Sequence, residues 1–186
     1  RDTPTVAPLF NKRVLMIGAG SLGSEVALLL AKTGVGSITL VDPELLDYPN
    51  VGRHMLGVTQ VRTFKAKSLA EKLAADFPHM RSIKYFAEGW QSLYGKRPEV
   101  FHDTDLIVST VGSWIAEGRL NQVVRSAADF PPVIYGWAEP FSVAGHAVLI
   151  GSSGPCFACG MDHFGRARRT VCEWDTETTR KQHYSG

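Results

Sequence analysis

The residues most able to do chemistry lie near the start of the chain. Gly18-Ala-Gly20-Ser-Leu-Gly23 carries three glycines at the spacing G-x-G-x-x-G. In such a turn the first glycine permits a tight bend and the second lets the backbone come close to a phosphate. The third lets a helix pack closely on a strand. Free amides at the helix start then favour an anion. Asp42 stands 19 residues after Gly23, where a carboxylate can accept hydrogen bonds from both ribose hydroxyls. The plain alternative is a glycine-rich turn and an aspartate that caps the next loop. The order strand, glycine turn, helix, strand favours a nucleotide, but the motif alone does not separate a dinucleotide from ATP.

Asn50, Arg53 and Lys65 follow the ribose carboxylate. A cofactor that delivers hydride needs no cation cluster at its phosphates. A nucleotide whose phosphates are attacked does, because cations offset charge that develops on the transferring group. Arg53 offers a bidentate fork and Lys65 a point charge. Ordinary surface residues would read the same way. Downstream, Cys156-x-x-Cys159 follows Gly154-Pro155 in a loop. Two thiolates at this spacing can supply half of a tetrahedral zinc site. Two unmetallated thiols and a redox pair are the other readings. Cys172 follows Arg166, Arg168 and Arg169, and nearby cations lower a thiol's pKa and make it a better nucleophile. An inert cysteine beside solvated arginines fits equally.

These groups need elements to hold them. Arg13-Val-Leu-Met-Ile17 is a short apolar run without alternation, as a central parallel strand should be. Residues 24–32 carry Val26, Leu29 and Leu30 on one face and end at Gly34 or Gly36, a helix. Residues 37–42 read as the next strand, which completes a right-handed βαβ unit. Residues 43–61, broken by Pro43 and Pro49, read as a long connection. Ala66, Leu69, Leu73 and Phe77 mark a helix over 65–77, stopped by Pro78. Further strands are expected at 82–87, 105–109, 132–136 and 143–150, with a helix at 115–128. The implied class is α/β, Rossmann-like, with a mostly parallel central sheet, helices on both faces and a C-terminal loop region. Residues 1–160 are expected to form the nucleotide-binding domain, and 161–186 a loop or crossover segment of a longer chain.

Composition narrows the classes. With 186 residues the chain supports one domain that needs no disulfide framework. Hydrophobic residues are 44 % and charged ones 20 %, a globular balance. Twenty Lys and Arg against 18 Asp and Glu leave a net charge of +2, too weak to imply nucleic acid. No apolar run is long enough to span a membrane, and the N-terminus carries no secretory pattern. With three cysteines and no framework, a cytoplasmic setting is expected. His54, His102 and His146 have no company that reads as a triad, though His54 beside Arg53 is a candidate for the phosphate site.

Taken in order, the text from Val14 to Gly23, Leu40-Val-Asp42, Asn50-x-x-Arg53, Lys65-Ala, Asp105-Leu-Ile-Val and Gly154-Pro-Cys-Phe-Ala-Cys159 resembles the ThiF/MoeB/E1 superfamily. Asn50-Val-Gly-Arg-His54 and Trp137-Ala-Glu-Pro140 look most like bacterial E1-like domains found beside E2-like domains. The resemblance covers residues 13–160. It implies ATP and Mg²⁺ as cofactors, and adenylation of the C-terminal glycine of a ubiquitin-like or sulfur-carrier protein. A thioester on Cys172 would then follow. It implies that Gly18, Gly20 and Gly23 form the nucleotide loop and that Asp42 holds the ribose. Asn50, Arg53 and Lys65 would grip the phosphates, and Cys156 and Cys159 would be half of a structural zinc site. A homodimer and an E2-like partner also follow from it.

Three departures stand out. Val111 occupies the place of the magnesium aspartate, so either Asp103, Asp105 or Glu139 substitutes, or magnesium is placed differently, or the domain is weakened. Arg62 stands where a glycine usually precedes the phosphate lysine. No second C-x-x-C follows. The competing readings are an NAD-dependent oxidoreductase, which leaves the Asn50, Arg53 and Lys65 group unexplained, and a catalytically weak nucleotide- or partner-binding module.

Overall fold

The computed structural model describes residues 9–139, 142, 144–163, 165, 167 and 168. Six strands form one sheet: β1 (Arg13–Ile17), β2 (Ser37–Val41), β3 (Ser82–Phe86), β4 (Leu106–Ser109), β5 (Val133–Ala138) and β6 (Gly145–Ile150). Their order is β3-β2-β1-β4-β5-β6. The first five are parallel, and β6 returns antiparallel to β5, Val133 opposite Ile150. The order reverses direction between β1 and β4, and the crevice beyond the carboxyl ends at such a switch point is where open α/β sheets bind ligands.

Strand alternation sorts the core into two layers. Val14 and Met16 of β1 face one side with Ile38 and Leu40 of β2. There they meet α1 (Ser21–Lys32) through Ala27 and Ala31, and α3 (Lys65–Asp76) through Ala66, Leu69 and Leu73. Leu15 and Ile17 face the other side with Ile107. That layer is closed by α4 (Trp90–Lys96), α5 (Glu99–His102) and α6 (Trp114–Ser126), through Trp90, Leu93, Phe101, Leu120 and Val124. Both faces of β1 are buried, which is why its text lacks polar alternation.

Three helices were not visible in the sequence. A single turn, α2 (Tyr48–Val51), lies within the connection after β2. The pair α4 and α5 lies between β3 and β4, separated by Pro98. Each is too short to show a periodic apolar stripe. Helix α1 begins three residues earlier than its apolar face announces, because its first turn is the glycine loop itself. Among the described residues no helix is long and apolar enough to cross a membrane.

Candidate nucleotide site

The glycine loop leaves β1 at Ile17 and is stitched at once to its neighbours. The Gly18 N–H donates to the Val41 carbonyl at 2.9 Å, and the Thr110 N–H donates to Ile17 O at 2.9 Å. Gly18 has φ +95°, in the left-handed region where a side chain is strained. Gly23 is required for a different reason: a Cβ there would overlap the Gly18 carbonyl and approach Thr110 Oγ1 to 2.6 Å. Gly20 caps α1 without a side-chain hydrogen bond, and the first turn carries no acidic residue. The first-turn amides therefore present a seat for an anion.

Asp42 is buried at the end of β2. Its Oδ2 accepts the Ala19 N–H at 2.6 Å and its Oδ1 the Glu44 N–H at 2.8 Å. Burial pushes its pKa up, and the two amides pull it back. Each oxygen keeps a second lone pair for a hydroxyl donor. The carboxylate thus pins the glycine loop and faces a cavity of about 190 Å³ lined by Gly18, Gly20, Asp42, Glu44, Trp90 and Thr110. Thr110 also lines a second cavity of about 270 Å³, with Leu22, Gly112, Trp114, Glu117 and Trp137.

His54 braces the loop from below. Its Nδ1 accepts the Leu56 N–H at 3.0 Å, which assigns the proton to Nε2, and Nε2 donates to Ala19 O at 2.6 Å. Burial lowers its pKa. It supports the glycine loop and does not line the cavity.

Lys65 is buried at the start of α3, where its Nζ meets Glu44 Oε2 at 2.5 Å. Its charge acts on both Asp42 and His54. The structure therefore brings Lys65 to the same corner as Asp42, with Glu44 between it and the cavity. It does not bring Asn50 or Arg53 to the cavity lining. Asn50 Oδ1 accepts the Asp47 N–H at 3.1 Å, which closes α2 on itself. Arg53 is exposed just after α2.

Two expectations about metals are corrected. Cys156 Sγ and Cys159 Sγ lie 3.4 Å apart and hydrogen-bond to each other, a contact that lowers the Cys156 pKa. Among the described residues no group of three His, Cys, Asp or Glu side chains is placed to hold a metal ion. Two ligands do not complete tetrahedral zinc, so the pair is not assigned as a structural zinc site. The carboxylates expected to substitute at magnesium do not fit either. Asp105 lies at the opposite end of the sheet, where it accepts from Lys12 and from the Arg13 amide. Asp103 sits near that same end, after α5. Glu139 holds His146 at 2.7 Å. Cys172, with Arg166 and Arg169, lies outside the described residues, as does most of the 161–186 segment.

Thr110, Glu44, Trp90 and Glu117 line these cavities without having been singled out from sequence. Glu44 carried a usable signal, an acid two residues past Asp42. Trp90 carried none, since its helix was not visible.

Comparison with known proteins gives a consistent answer. The ThiF family model matches residues 3–182. The chain is 30 % identical over 148 residues to the probable adenylyltransferase/sulfurtransferase MoeZ of Mycobacterium tuberculosis, which covers 79 % of this chain and 36 % of that protein. It is 28 % identical over 171 residues to the ATP-dependent ubiquitin transferase-like protein Cap2 of Escherichia coli, 89 % of this chain and 28 % of that one. The fold matches that of Escherichia coli MccB solved with ATP, with a TM-score of 0.69 at 19 % identity, over 86 % of this chain and 46 % of MccB. The chain thus spans about a third of the length of these curated relatives.

Proposed function

Because the chain belongs to the ThiF family, we propose that it binds ATP over the glycine loop and adenylates the C-terminal glycine of a ubiquitin-like or sulfur-carrier protein. The observation that carries this reading is the Asp42 carboxylate. It is bonded to the Ala19 amide of the loop and still turned to the cavity, so ribose and phosphate seats are built as one unit. The glycine motif alone left a nicotinamide cofactor open. Family membership, with relatives such as Cap2 and MoeZ, favours ATP.

In this reading the ribose hydroxyls donate to Asp42, and the phosphates lie on the amides at the start of α1. The carrier carboxylate attacks the α-phosphorus. A carboxyl O–P bond forms, the bond to the β-phosphate oxygen breaks, and pyrophosphate leaves with its electron pair. The attacking group is already ionised at neutral pH, so no general base is needed. Lys65, held by Glu44, adds positive potential to this corner. Asn50 and Arg53 are assigned to the phosphates on the resemblance, and for Arg53 this requires the side chain to fold inward. The second cavity, walled by Trp114 and Trp137 beside Gly112 and Gly136, is the route proposed for the narrow glycine tail.

Asp42 and Glu44 share the cavity with Val111, but among the described residues no group of three metal-ligating side chains is placed to hold an ion, so a magnesium ion on ATP would draw most of its ligands from phosphate and water. The exposed Val111 side chain at this place favours a second reading, a nucleotide-binding module with weak turnover. A thioester on Cys172, a homodimer, an E2-like neighbour and a cytoplasmic setting belong to the proposal on the resemblance.

ATP–pyrophosphate exchange, measured with the chain in its full-length protein and a carrier ending in glycine, tests the proposal. Carrier-dependent exchange is expected. Tight ATP binding without exchange would replace it with the weak-module reading, and NAD(H) binding indifferent to ATP would sink both.

A further inference from the structure

Glu117 is the group that the proposed reaction leaves unused. It lies in the first turn of α6 and is almost wholly buried. Its Oε1 accepts the Ser109 hydroxyl at 3.1 Å, and the N–H groups of Gly112 and Val111 point at the same carboxylate. One side chain thus bonds the end of β4 through Ser109 and has the two amides of the following turn as neighbours. Thr110, inside that turn, donates its hydroxyl to Gly18 O at 3.1 Å and its N–H to Ile17 O. Glu117, the turn and the glycine loop form one hydrogen-bonded chain. Thr110 and Val111 line the nucleotide cavity, while Thr110, Gly112 and Glu117 line its neighbour.

We propose that Glu117 is a positioning residue: its carboxylate clamps the Thr110–Gly112 turn and so sets the wall shared by the two cavities. This rests on the adenylation reading only for its catalytic consequence, because the two reactants would meet across that wall. A reacting atom displaced by about 1 Å can lower a rate by ~10²-fold. The clamp also has its own signature. Burial raises the Glu117 pKa to about 7, against the pull of Ser109, Gly112 and Val111. The titratable group that couples to it is the Tyr135 phenol on β5, whose buried oxygen has no hydrogen-bond partner among the described residues; the Cys156 thiol acts in turn on Tyr135. The ionised form accepts from Ser109 and attracts the Val111 and Gly112 amides. The protonated form is a poorer acceptor and loosens the turn.

The test has two arms. In the first, the amide resonances of Val111 and Gly112 in the unliganded wild-type chain are followed across neutral pH. A common midpoint near 7 is expected, and its disappearance in E117Q. Flat resonances would overturn the inference, and this arm needs no variant to fold. In the second, exchange kinetics are compared. E117Q is expected to lower kcat by ~10–100-fold, with the KM for ATP within about threefold because Asp42 is untouched. S109A, which removes the 3.1 Å bond but keeps the carboxylate, is expected to lower kcat in the same direction by a smaller factor, ~3–10-fold. Wild-type kcat in E117Q, or equal loss in kcat and in folded fraction, would overturn the inference. Absence of exchange in the wild type would sink the adenylation reading, while amides that titrate with Glu117 would still support the clamp.

Discussion

Replacing the second and third glycines of the loop by alanine separates packing from phosphate binding. At Gly23 the added Cβ meets the Gly18 carbonyl and Thr110 Oγ1, and the carbonyl is backbone that cannot rotate away. Overpacking of this kind costs roughly 1–3 kcal/mol. Alanine returns up to ~1 kcal/mol of helix propensity in α1. The net is a loss of about 1–2 kcal/mol, and for a chain of this size each kcal/mol moves Tm by roughly 2–4 °C. G23A should therefore melt several degrees below wild type. At Gly20 a Cβ meets nothing within 4 Å. G20A loses only a favourable N-cap residue, on the order of 0.5 kcal/mol. Yet its methyl group occupies the space over which the phosphates are placed. The expected result is near-wild-type melting with ATP affinity reduced at least ~10-fold, about 1.4 kcal/mol. Thermal melts and ATP titration calorimetry on both variants decide the matter. G20A binding ATP as wild type would show that the phosphates do not lie on this turn. G23A melting as wild type would show that the helix does not pack on the strand as described.

Other substitutions read the remaining parts of the site. D42N places a side-chain NH₂ where one backbone N–H now finds an acceptor; an orphaned buried donor costs ~1–3 kcal/mol. Both Tm and ATP affinity should fall, and calorimetry finding unchanged affinity would remove Asp42 from the ribose. His54 has a folded pKa below its unfolded value. Its contribution to stability is therefore present above about pH 6.5 and is lost as pH falls through the folded pKa. Urea unfolding should show stability declining below that point, with a shallower decline in H54N. Arg62 holds φ +70° with its N–H bonded to Leu46 O at 2.8 Å, so R62G relieves backbone strain while keeping the bond. A gain of roughly 0.5–1 kcal/mol in urea unfolding is expected, because the ~1–2 kcal/mol of left-handed strain exceeds the added chain entropy. K65M should leave ATP binding within about tenfold and reduce exchange by at least ~10²-fold if the ammonium acts on the transition state; equal losses in both would mark it as a binding residue only.

The sheet was legible because its central strands are buried on both faces. Continuous apolar text, as in Arg13 to Ile17 and Leu106 to Val108, belongs to buried parallel strands when glycine turns follow it and the runs are this short. The glycine loop was legible for a related reason: Gly18 and Gly23 are fixed by backbone geometry, which sequence spacing reports directly. Trp90 and Phe101 stayed hidden because α4 and α5 are seven and four residues long, less than the window in which a 3.6-residue period can be recognised. Their burial is a tertiary fact. Both fill the layer beneath β1 and β4, and Trp90 reaches the cavity beside Asp42 from there.

The stretch from Asp42 to Lys65 shows a different limit. Its chemistry was visible, but its shape was not, because it is built from single backbone contacts without any repeat. Leu46 N donates to Thr63 O at 2.8 Å, Arg62 N returns to Leu46 O, and Lys65 N donates to Glu44 O at 2.9 Å. These bonds fold the connection back on itself and return Lys65 to the strand end it left at Asp42. A side chain buried in that closure is held by its backbone and by Glu44. Arg53, inside the closed loop but bonded through its N–H to Asn50 O, is held by a single helical turn and stays exposed. Residue type alone treats the two cations alike; loop closure fixes the position of Lys65 and leaves Arg53 room to swing. Swing freedom is what a phosphate-gripping arginine needs if it is to close on ATP after binding. R53K should therefore weaken exchange more than it weakens ATP binding, since lysine keeps the charge but loses the fork. Equal effects on both, measured by exchange kinetics and calorimetry, would place Arg53 outside the transfer step.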